Sequence, residues 1–158
     1  MFIKPDYNLK NVYEINFDVL KSSGIKCIMF DLDSTVMISK SGAFLPETLE
    51  WFNTFTKFFH VAIISNNTSK EYIDNASRIA PCEVIGMAKK PNPKVMEQYL
   101  KRIGVSPSES VMVGDRPLTD ILAGKRLGCK TILVGSINPN ENLATKLVRL
   151  LERSVIKK

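Results

Sequence analysis

Short apolar runs recur along the chain, and longer segments with helical spacing separate them. The strong runs lie at 26–30, 61–65, 110–113 and 129–134, and a weaker one lies at 82–86. Each run is flanked by Gly, Asp, Asn or Pro, as buried parallel strands usually are. The pattern therefore predicts five short strands buried inside the molecule.

Between these runs, apolar residues return every three or four positions, which is the spacing of an amphipathic helix. The clearest case is a core-facing helix over 46–59, opened by Pro46, with Leu49, Phe52, Phe55, Phe58 and Phe59 as its apolar residues. Further helices are predicted at 16–23, 69–79, 93–103, 119–127 and 141–157. The last has an apolar face that we expect to pack on the domain: Leu143, Leu147, Leu150, Leu151 and Val155.

Strands that alternate with helices of about ten residues indicate βαβ units. The predicted fold class is therefore α/β, with a doubly wound, mainly parallel sheet flanked by helices. The 158 residues fit one domain, 1–158, and no composition break or repeat divides them. Residues 1–24 are expected to form an N-terminal extension.

The composition argues against a disulfide framework, a zinc site and a membrane span. Cys27, Cys82 and Cys129 form no CxxC or Cys/His cluster, and His60 has no metal-ligand partner nearby in the sequence. The N-terminus lacks the apolar core of a signal peptide, and no stretch approaches ~18 apolar residues. We expect free thiols and a cytoplasmic protein.

Polar residues cluster where the predicted strands end. In doubly wound sheets, ligands bind beyond the carboxyl ends of the strands. The residues that four loops deliver to this edge are Asp31, Asp33, Thr35, Ser65, Asn66, Lys89, Lys90, Asp115 and Asp120. Arg116 lies beside them in the sequence and either attracts substrate or faces solvent.

Carboxylates gathered at one edge repel one another unless a cation lies among them. Oxygen ligands without His or Cys favour a hard ion, and Mg²⁺ suits a site that also holds a substrate phosphate. One carboxylate of the pair at 31 and 33 would then attack phosphorus, and the other would move the proton. Neither GxxxxGK[ST] nor GxGxxG occurs, which disfavours a Walker-type ATPase and a dinucleotide-binding domain.

Taken in order, these residues resemble the four motifs of the haloacid dehalogenase (HAD) superfamily of phosphatases. The motifs are Asp31-Leu32-Asp33-Ser34-Thr35, Ser65, Lys90-Pro91, and Gly114-Asp115 through Asp120. Three stretches also resemble the YqeG type of HAD subclass IIIA, which is related to mitochondrial phosphatidylglycerophosphatase. They are the N-terminal segment that ends in FDLDSTV, the segment AKKPNP and the segment GDRPLTDI. The resemblance implies a HAD-like Rossmannoid fold and Mg²⁺-dependent phosphomonoester hydrolysis through an aspartyl-phosphate.

The same resemblance assigns the roles in catalysis and metal binding. It makes Asp31 the nucleophile and Asp33 the general acid and base. Mg²⁺ would be held by Asp31, the backbone carbonyl of Asp33 and Asp115, with Asp120 supporting the metal.

The resemblance also assigns the groups that contact substrate. Ser65 would bind the phosphate, with Thr35 and Asn66 as further substrate-binding candidates. Lys90 would steady the charge of the nucleophile and the phosphate, and it is favoured over Lys89 because it directly precedes the proline. Ser34 and Val36 stand where the family pattern usually has Asn and Leu, which weakens the transfer of a named substrate.

No cap domain fits between the motifs. Only 29 residues separate Thr35 from Ser65, and 24 separate Ser65 from Lys90. An open site suits a bulky phosphorylated substrate such as a phospholipid head group, or a lid lent by a second subunit of a homo-oligomer. Phosphatidylglycerophosphate is the leading substrate that the resemblance implies.

The net charge of +6 comes entirely from the C-terminal segment, since residues 125–158 hold 8 Lys and Arg against 2 Asp and Glu. A basic amphipathic helix there offers a peripheral contact with anionic membrane as an alternative to packing on the domain. Two other functions stay open. A receiver-like phosphoacceptor module also uses Asp, Lys and Mg²⁺, and a phosphatase acting on nucleic-acid ends fits the basic C-terminus. Nucleic acid is ranked last, because no aromatic and basic single-strand platform is evident.

Overall fold

The computed structural model describes residues 3–139 and 143–156, and its centre is a parallel sheet. The described residues contain six strands: β1 Tyr7–Leu9, β2 Cys27–Phe30, β3 His60–Ile64, β4 Glu83–Ile85, β5 Ser110–Gly114 and β6 Lys130–Val134. Their order in the sheet is β1-β6-β5-β2-β3-β4, and every neighbouring pair is parallel. The five predicted strands and the α/β class are confirmed.

Six α-helices connect or follow the strands in the described ranges. They are α1 Phe17–Ser22, α2 Pro46–Asn53, α3 Lys70–Ile79, α4 Lys94–Ile103, α5 Leu122–Leu127 and α6 Leu143–Arg153. A π-helical turn over Pro117–Ile121 leads directly into α5. None of these helices has both the length and the apolar composition that crossing a bilayer requires.

The sheet has two apolar faces because successive residues of a strand point to opposite sides. In β2, Ile28 and Phe30 belong to a core that α1, α2 and α3 cover. Cys27 and Met29, which alternate with them, belong to a second core beneath α4 and α5. Helices on both faces make the sheet doubly wound, as predicted, and the chain has no cap domain between its motifs.

The aromatic helix is shorter than predicted. It ends at Asn53, and turns occupy the following residues up to β3. Phe52 and Phe55 pack edge-on or tilted against Phe30, so this part of the aromatic face is core, as expected. Phe58 is 64% exposed, because the helical repeat that would have turned it inward has already ended.

The N-terminal extension contributes a strand that the sequence did not predict. Tyr7–Leu9 pairs with β6 and forms one edge of the sheet. The Asp6 carboxylate accepts hydrogen bonds from the backbone N–H and the hydroxyl of Thr131, at 2.8 and 2.9 Å. A strand of three residues is too short to show a periodic pattern.

The C-terminal helix lies on the domain in the opposite orientation to the predicted one. Leu143 is 85% exposed and Leu150 is 66% exposed, whereas Glu152 is buried. The expectation that this face packs on the domain is therefore wrong for its four leucines, whereas Val155, which follows α6, does pack against the domain. The polar face is drawn inward because Arg116 donates two hydrogen bonds to the Glu152 carboxylate, at 2.7 and 3.2 Å. Positions 141, 142 and 157 of the predicted helix lie outside the described residues.

All three cysteines are free thiols, as predicted. Burial raises the pKa of Cys27 to about 12. Such a thiol stays protonated and acts as a small apolar side chain.

Candidate active site

Two central strands place the acidic residues of the site together. Asp31 follows β2, and its backbone N–H donates to the carbonyl of Val113 in β5 at 2.8 Å, so the pairing of the strands fixes its position. Asp115 directly follows β5. Carboxylate oxygens of Asp31, Asp115 and Asp120 all lie within 4.8 Å of one another. The sheet therefore gathers three of the four predicted metal-binding aspartates around one point.

Lys90 is buried between two of these carboxylates. Its Nζ donates to Asp31 Oδ1 and to Asp120 Oδ1, each at 2.7 Å. Burial acts to lower the pKa of Lys90, but attraction to Asp120 and Asp31 outweighs it and holds the pKa above its usual value. Lys89 is exposed and adopts a left-handed backbone conformation with φ of 55°. The structure thus places Lys90, and not Lys89, in the site.

Asn66 holds the backbone of Lys90. Its side-chain amide donates to the Lys90 carbonyl at 2.9 Å, and its Oδ1 accepts from the Lys90 N–H at 2.7 Å. Asn66 and Ser65 both line a cavity of about 240 Å³ that also contains Asp31, Asp33 and Lys90. Their predicted contact with substrate is compatible with this location, and Asn66 in addition fixes the backbone of Lys90.

Thr35 is fully buried beneath the carboxylates. Its hydroxyl donates to Asp115 Oδ1 at 3.1 Å and lies 3.4 Å from Asp31 Oδ2. The cavity is lined by other residues, so this hydroxyl orients the acidic groups from below. We therefore assign Thr35 to positioning the carboxylates.

Asp120 reaches the site from the π-helical turn, an irregularity often found at functional sites. Its Oδ2 accepts from the backbone N–H of Arg116 at 3.1 Å. Burial and repulsion by Asp31 raise its pKa, and Lys90 opposes that rise. The carboxyl group lies directly against Gly114, where an added Cβ would stand 2.3 Å from the Asp120 carboxyl carbon. Only glycine leaves room for this carboxylate.

Asp33 lies on the wall of the same cavity and is partly buried there. Its Oδ1 accepts a hydrogen bond from the Tyr72 hydroxyl and a longer one, 3.3 Å, from the Lys40 N–H. Burial raises its pKa, although the Tyr72 bond opposes the rise. Tyr72 was not predicted as a site residue, because nothing in the local sequence of α3 indicates which residue faces Asp33.

The cluster fits a divalent cation of the magnesium type. It offers three carboxylates, two of them buried, and its ligands are hard oxygen atoms. Lys90 pairs with Asp31 and Asp120, and Arg149 of α6 pairs with Asp115, so three carboxylates face two cationic side chains. The contribution of the Asp33 backbone carbonyl stays a prediction.

Arg149 of α6 is a site residue that the motifs did not indicate. Its guanidinium pairs with Asp115 Oδ2, so both oxygens of Asp115 have partners. The excess of basic residues near the C-terminus was the signal that could have found it. Arg116, whose role was left open, lines the cavity and anchors α6 through Glu152.

Asn138 was also missed, although it follows the carboxyl end of β6 and the strand-end rule applies to it. Its side chain donates to Ser34 Oγ at 2.7 Å and accepts from the Ser39 N–H at 2.9 Å. Ser34 adopts a left-handed conformation with φ of 69°, which Asn tolerates better than most residues. The hydrogen bond from Asn138 holds Ser34 in that conformation.

Comparisons with known proteins agree with this geometry. A family model described as HAD-hydrolase-like matches residues 87–146. The chain is 30% identical over 156 residues to a probable phosphatase YqeG of Bacillus subtilis, across 98% of this chain and 90% of that protein. It is 31% identical over 169 residues to phosphatidylglycerophosphate phosphatase 1, chloroplastic/mitochondrial, of Arabidopsis thaliana, across 99% of this chain and 48% of that protein.

A solved structure shares the fold. It is a HAD family enzyme from Bacteroides thetaiotaomicron in complex with magnesium and inorganic phosphate. The TM-score is 0.56 at 13% sequence identity, and the match covers 77% of this chain and 98% of that one.

Proposed function

Because this chain belongs to the YqeG-type HAD-like phosphatases, which hydrolyse phosphoric monoesters, we propose that it acts through a phosphorylated Asp31 with Mg²⁺ as cofactor. The observation that carries the proposal is the set of contacts around Asp31. Lys90 holds Oδ1 of this carboxylate at 2.7 Å, and the acidic cluster lies beside it. A fixed carboxylate next to a cation site can attack phosphorus without first reorganising.

The proton moves through Asp33. In the first half-reaction an Asp31 oxygen bonds to phosphorus, the ester bond breaks, and protonated Asp33 gives its proton to the leaving oxygen. In the second, the Asp33 carboxylate takes a proton from water as that water attacks the aspartyl-phosphate, which releases phosphate and restores Asp31. Bound Mg²⁺ would neutralise the phosphoryl oxygens. The raised pKa of Asp33 supports its role as the initial acid.

Phosphatidylglycerophosphate is the substrate that we propose for this site. The support is the similarity to the Arabidopsis enzyme named for that substrate, together with an uncapped site open to a lipid head group. The exposed leucines of α6 also suit peripheral contact with a bilayer. Lys146 and the basic C-terminal segment complement anionic lipid, so α6 would lie along the membrane surface.

The decisive experiment compares Asp31→Asn with wild-type protein on p-nitrophenyl phosphate and on phosphatidylglycerophosphate. We expect turnover of both by the wild type, inhibition by EDTA, recovery with Mg²⁺, and loss of turnover in the variant. Asp18→Asn makes the same chemical change at an exposed position of α1 and should keep full activity.

Full turnover by Asp31→Asn, or activity indifferent to chelation, would contradict the proposed chemistry. A single stable phosphorylation without turnover would instead support the receiver-like alternative. If the wild type hydrolyses p-nitrophenyl phosphate but not phosphatidylglycerophosphate, the proposed substrate is wrong and the proposed chemistry is still supported.

A further inference from the structure

A second and larger cavity lies next to the catalytic cavity. Its volume is about 610 Å³, and it opens between the ends of β1 and β6 on one side and α6 on the other. Four of the residues that line it are cationic: Lys10, Lys146, Arg149 and Arg153. Among the described residues that line it, none is acidic. It therefore attracts anions, whereas the catalytic cavity itself contains three aspartates.

Two contacts join the basic cavity to the catalytic one. Arg149 lines the basic cavity and pairs with Asp115 of the acidic cluster. Asn138 also lines the basic cavity and accepts from the N–H of Ser39, a residue of the catalytic cavity, at 2.9 Å. Residues that line the two cavities are therefore in direct contact, which places the cavities side by side.

The walls of the basic cavity are held in place by the fold. Arg153 donates to the carbonyl of Val134 at 2.9 Å, which fixes α6 at the end of β6. Gly135 lies against the backbone of Lys10, since an added Cβ would stand 2.2 Å from the Lys10 carbonyl oxygen. This close approach fixes the backbone of Lys10, which lines the cavity together with Lys146 of α6.

We propose that the basic cavity binds a second anionic group of the substrate while its phosphomonoester occupies the catalytic cavity. This inference rests on the proposed phosphatase function and narrows its substrate class. The preferred substrate is a phosphomonoester joined by a short polar linker to a phosphodiester or a second phosphate. Lysine and arginine charges bind such groups through charge-assisted hydrogen bonds. A substrate with a single anionic group leaves the cavity unused.

The test compares two soluble substrates, glycerol 3-phosphate and glycerophosphoglycerol phosphate, which adds a phosphodiester to the same kind of phosphomonoester without acyl chains. We expect the wild type to prefer the second in kcat/KM. In the double variant Lys10→Ala and Lys146→Ala, that preference should fall about tenfold, as expected for the loss of two solvent-exposed charge pairs. Lys57→Ala, an exposed lysine before β3, should keep the wild-type ratio.

The proposal would be overturned if the double variant kept the wild-type ratio of kcat/KM values. It would also be overturned if kcat/KM fell by the same factor for both soluble substrates. Phosphatidylglycerophosphate in detergent micelles forms a third arm. If only this substrate responds to the double variant, the lysines recognise the lipid aggregate and the subsite proposal is wrong.

A binding measurement separates this inference from the hydrolytic function. Glycerophosphoglycerol contains a phosphodiester but no phosphomonoester, so it can bind without turnover. We expect added glycerophosphoglycerol to change the NMR chemical shifts of the backbone amides of Gly135 and Asn138. These changes should be smaller in the double variant. Absence of these shifts in the wild type would overturn the subsite even if hydrolysis is observed, and their presence would support it even if hydrolysis fails.

Discussion

The two sides of the acidic cluster are built in different ways. On one side, Lys90 is only 5% exposed and pairs with the carboxylates of Asp31 and Asp120 beside the central strands. On the other side Arg149 reaches Asp115 from a helix whose Leu143 is 85% exposed. Strand pairing and core packing hold the first side, whereas polar side-chain contacts of α6 and a small apolar cluster just after it hold the second.

The rigid side of the cluster suits catalysis, and the side that α6 provides suits recognition of a partner. A nucleophile gains from rigid neighbours because catalysis depends on groups that need no reorganisation. The leucine face of α6 points outward, so it can be altered without disturbing the sheet. We therefore expect substitutions at Lys90 and Gly114 to affect both folding and catalysis, and substitutions on the leucine face to affect only the partner that α6 meets.

Lys90→Met should have the largest effect. It removes the positive charge between Asp31 and Asp120, and loss of one partner from a buried ion pair costs about 3–5 kcal/mol. Urea unfolding monitored by circular dichroism measures the free energy of unfolding, and turnover of p-nitrophenyl phosphate should be lost in parallel. Lys89→Met is the matched control, because this exposed neighbour should change stability by less than about 0.5 kcal/mol. Equal effects at the two lysines would contradict the assignment of Lys90.

Gly114→Ala should have an intermediate effect. The new methyl group would stand 2.3 Å from the Asp120 carboxyl carbon, so that side chain must shift. Overpacking of this kind costs about 1–3 kcal/mol of stability. Because Asp120 belongs to the proposed cation site, Mg²⁺ affinity measured by calorimetry should fall as well. Unchanged stability together with unchanged Mg²⁺ affinity would show that the turn after β5 has more room than its geometry indicates.

The double substitution Leu147→Ser and Leu151→Ser should have the smallest effect on folding. Both side chains are exposed, and such changes usually alter stability by about 0.5 kcal/mol or less. Co-sedimentation with anionic phospholipid vesicles should nevertheless be lost. Val19→Ser alters an exposed apolar residue of α1 and should retain vesicle binding. Unfolding of the double variant would show that the leucines are packed in the protein. Loss of self-association with vesicle binding retained would show that a second copy of the chain, and not a membrane, covers the leucines.

The sequence was sufficient to predict the parts that depend on local pattern. Short apolar runs bounded by polar residues predicted the central strands, and parallel strands carry their C-terminal loops to one edge. Asp31, Asp115 and Asp120 therefore meet as predicted. The choice of Lys90 over Lys89 followed from its place before Pro91, and the structure places Lys90 in the site.

The parts that were missed depend on contacts between distant segments. The hydrogen bond between Tyr72 and Asp33 joins residues 39 positions apart, and no periodicity predicts it. The leucine face of α6 was expected to be buried on hydrophobic grounds. The pairing of Arg116 with Glu152 and of Arg149 with Asp115 determined its orientation instead. Amphipathic character predicts that a helix has two faces but not which of them meets the protein.

The contact between Arg149 and Asp115 links two events in one thermodynamic cycle. A divalent cation held by the aspartates would lie beside the guanidinium, and the two positive charges would repel each other. Binding equilibria are reciprocal, so a change that turns the Arg149 guanidinium away from Asp115 would strengthen cation binding, and a bound cation would weaken the Arg149–Asp115 pair by the same free energy. The released guanidinium would then be available to an anion in the basic cavity that it lines, while the pair of Arg116 with Glu152 keeps α6 on the domain.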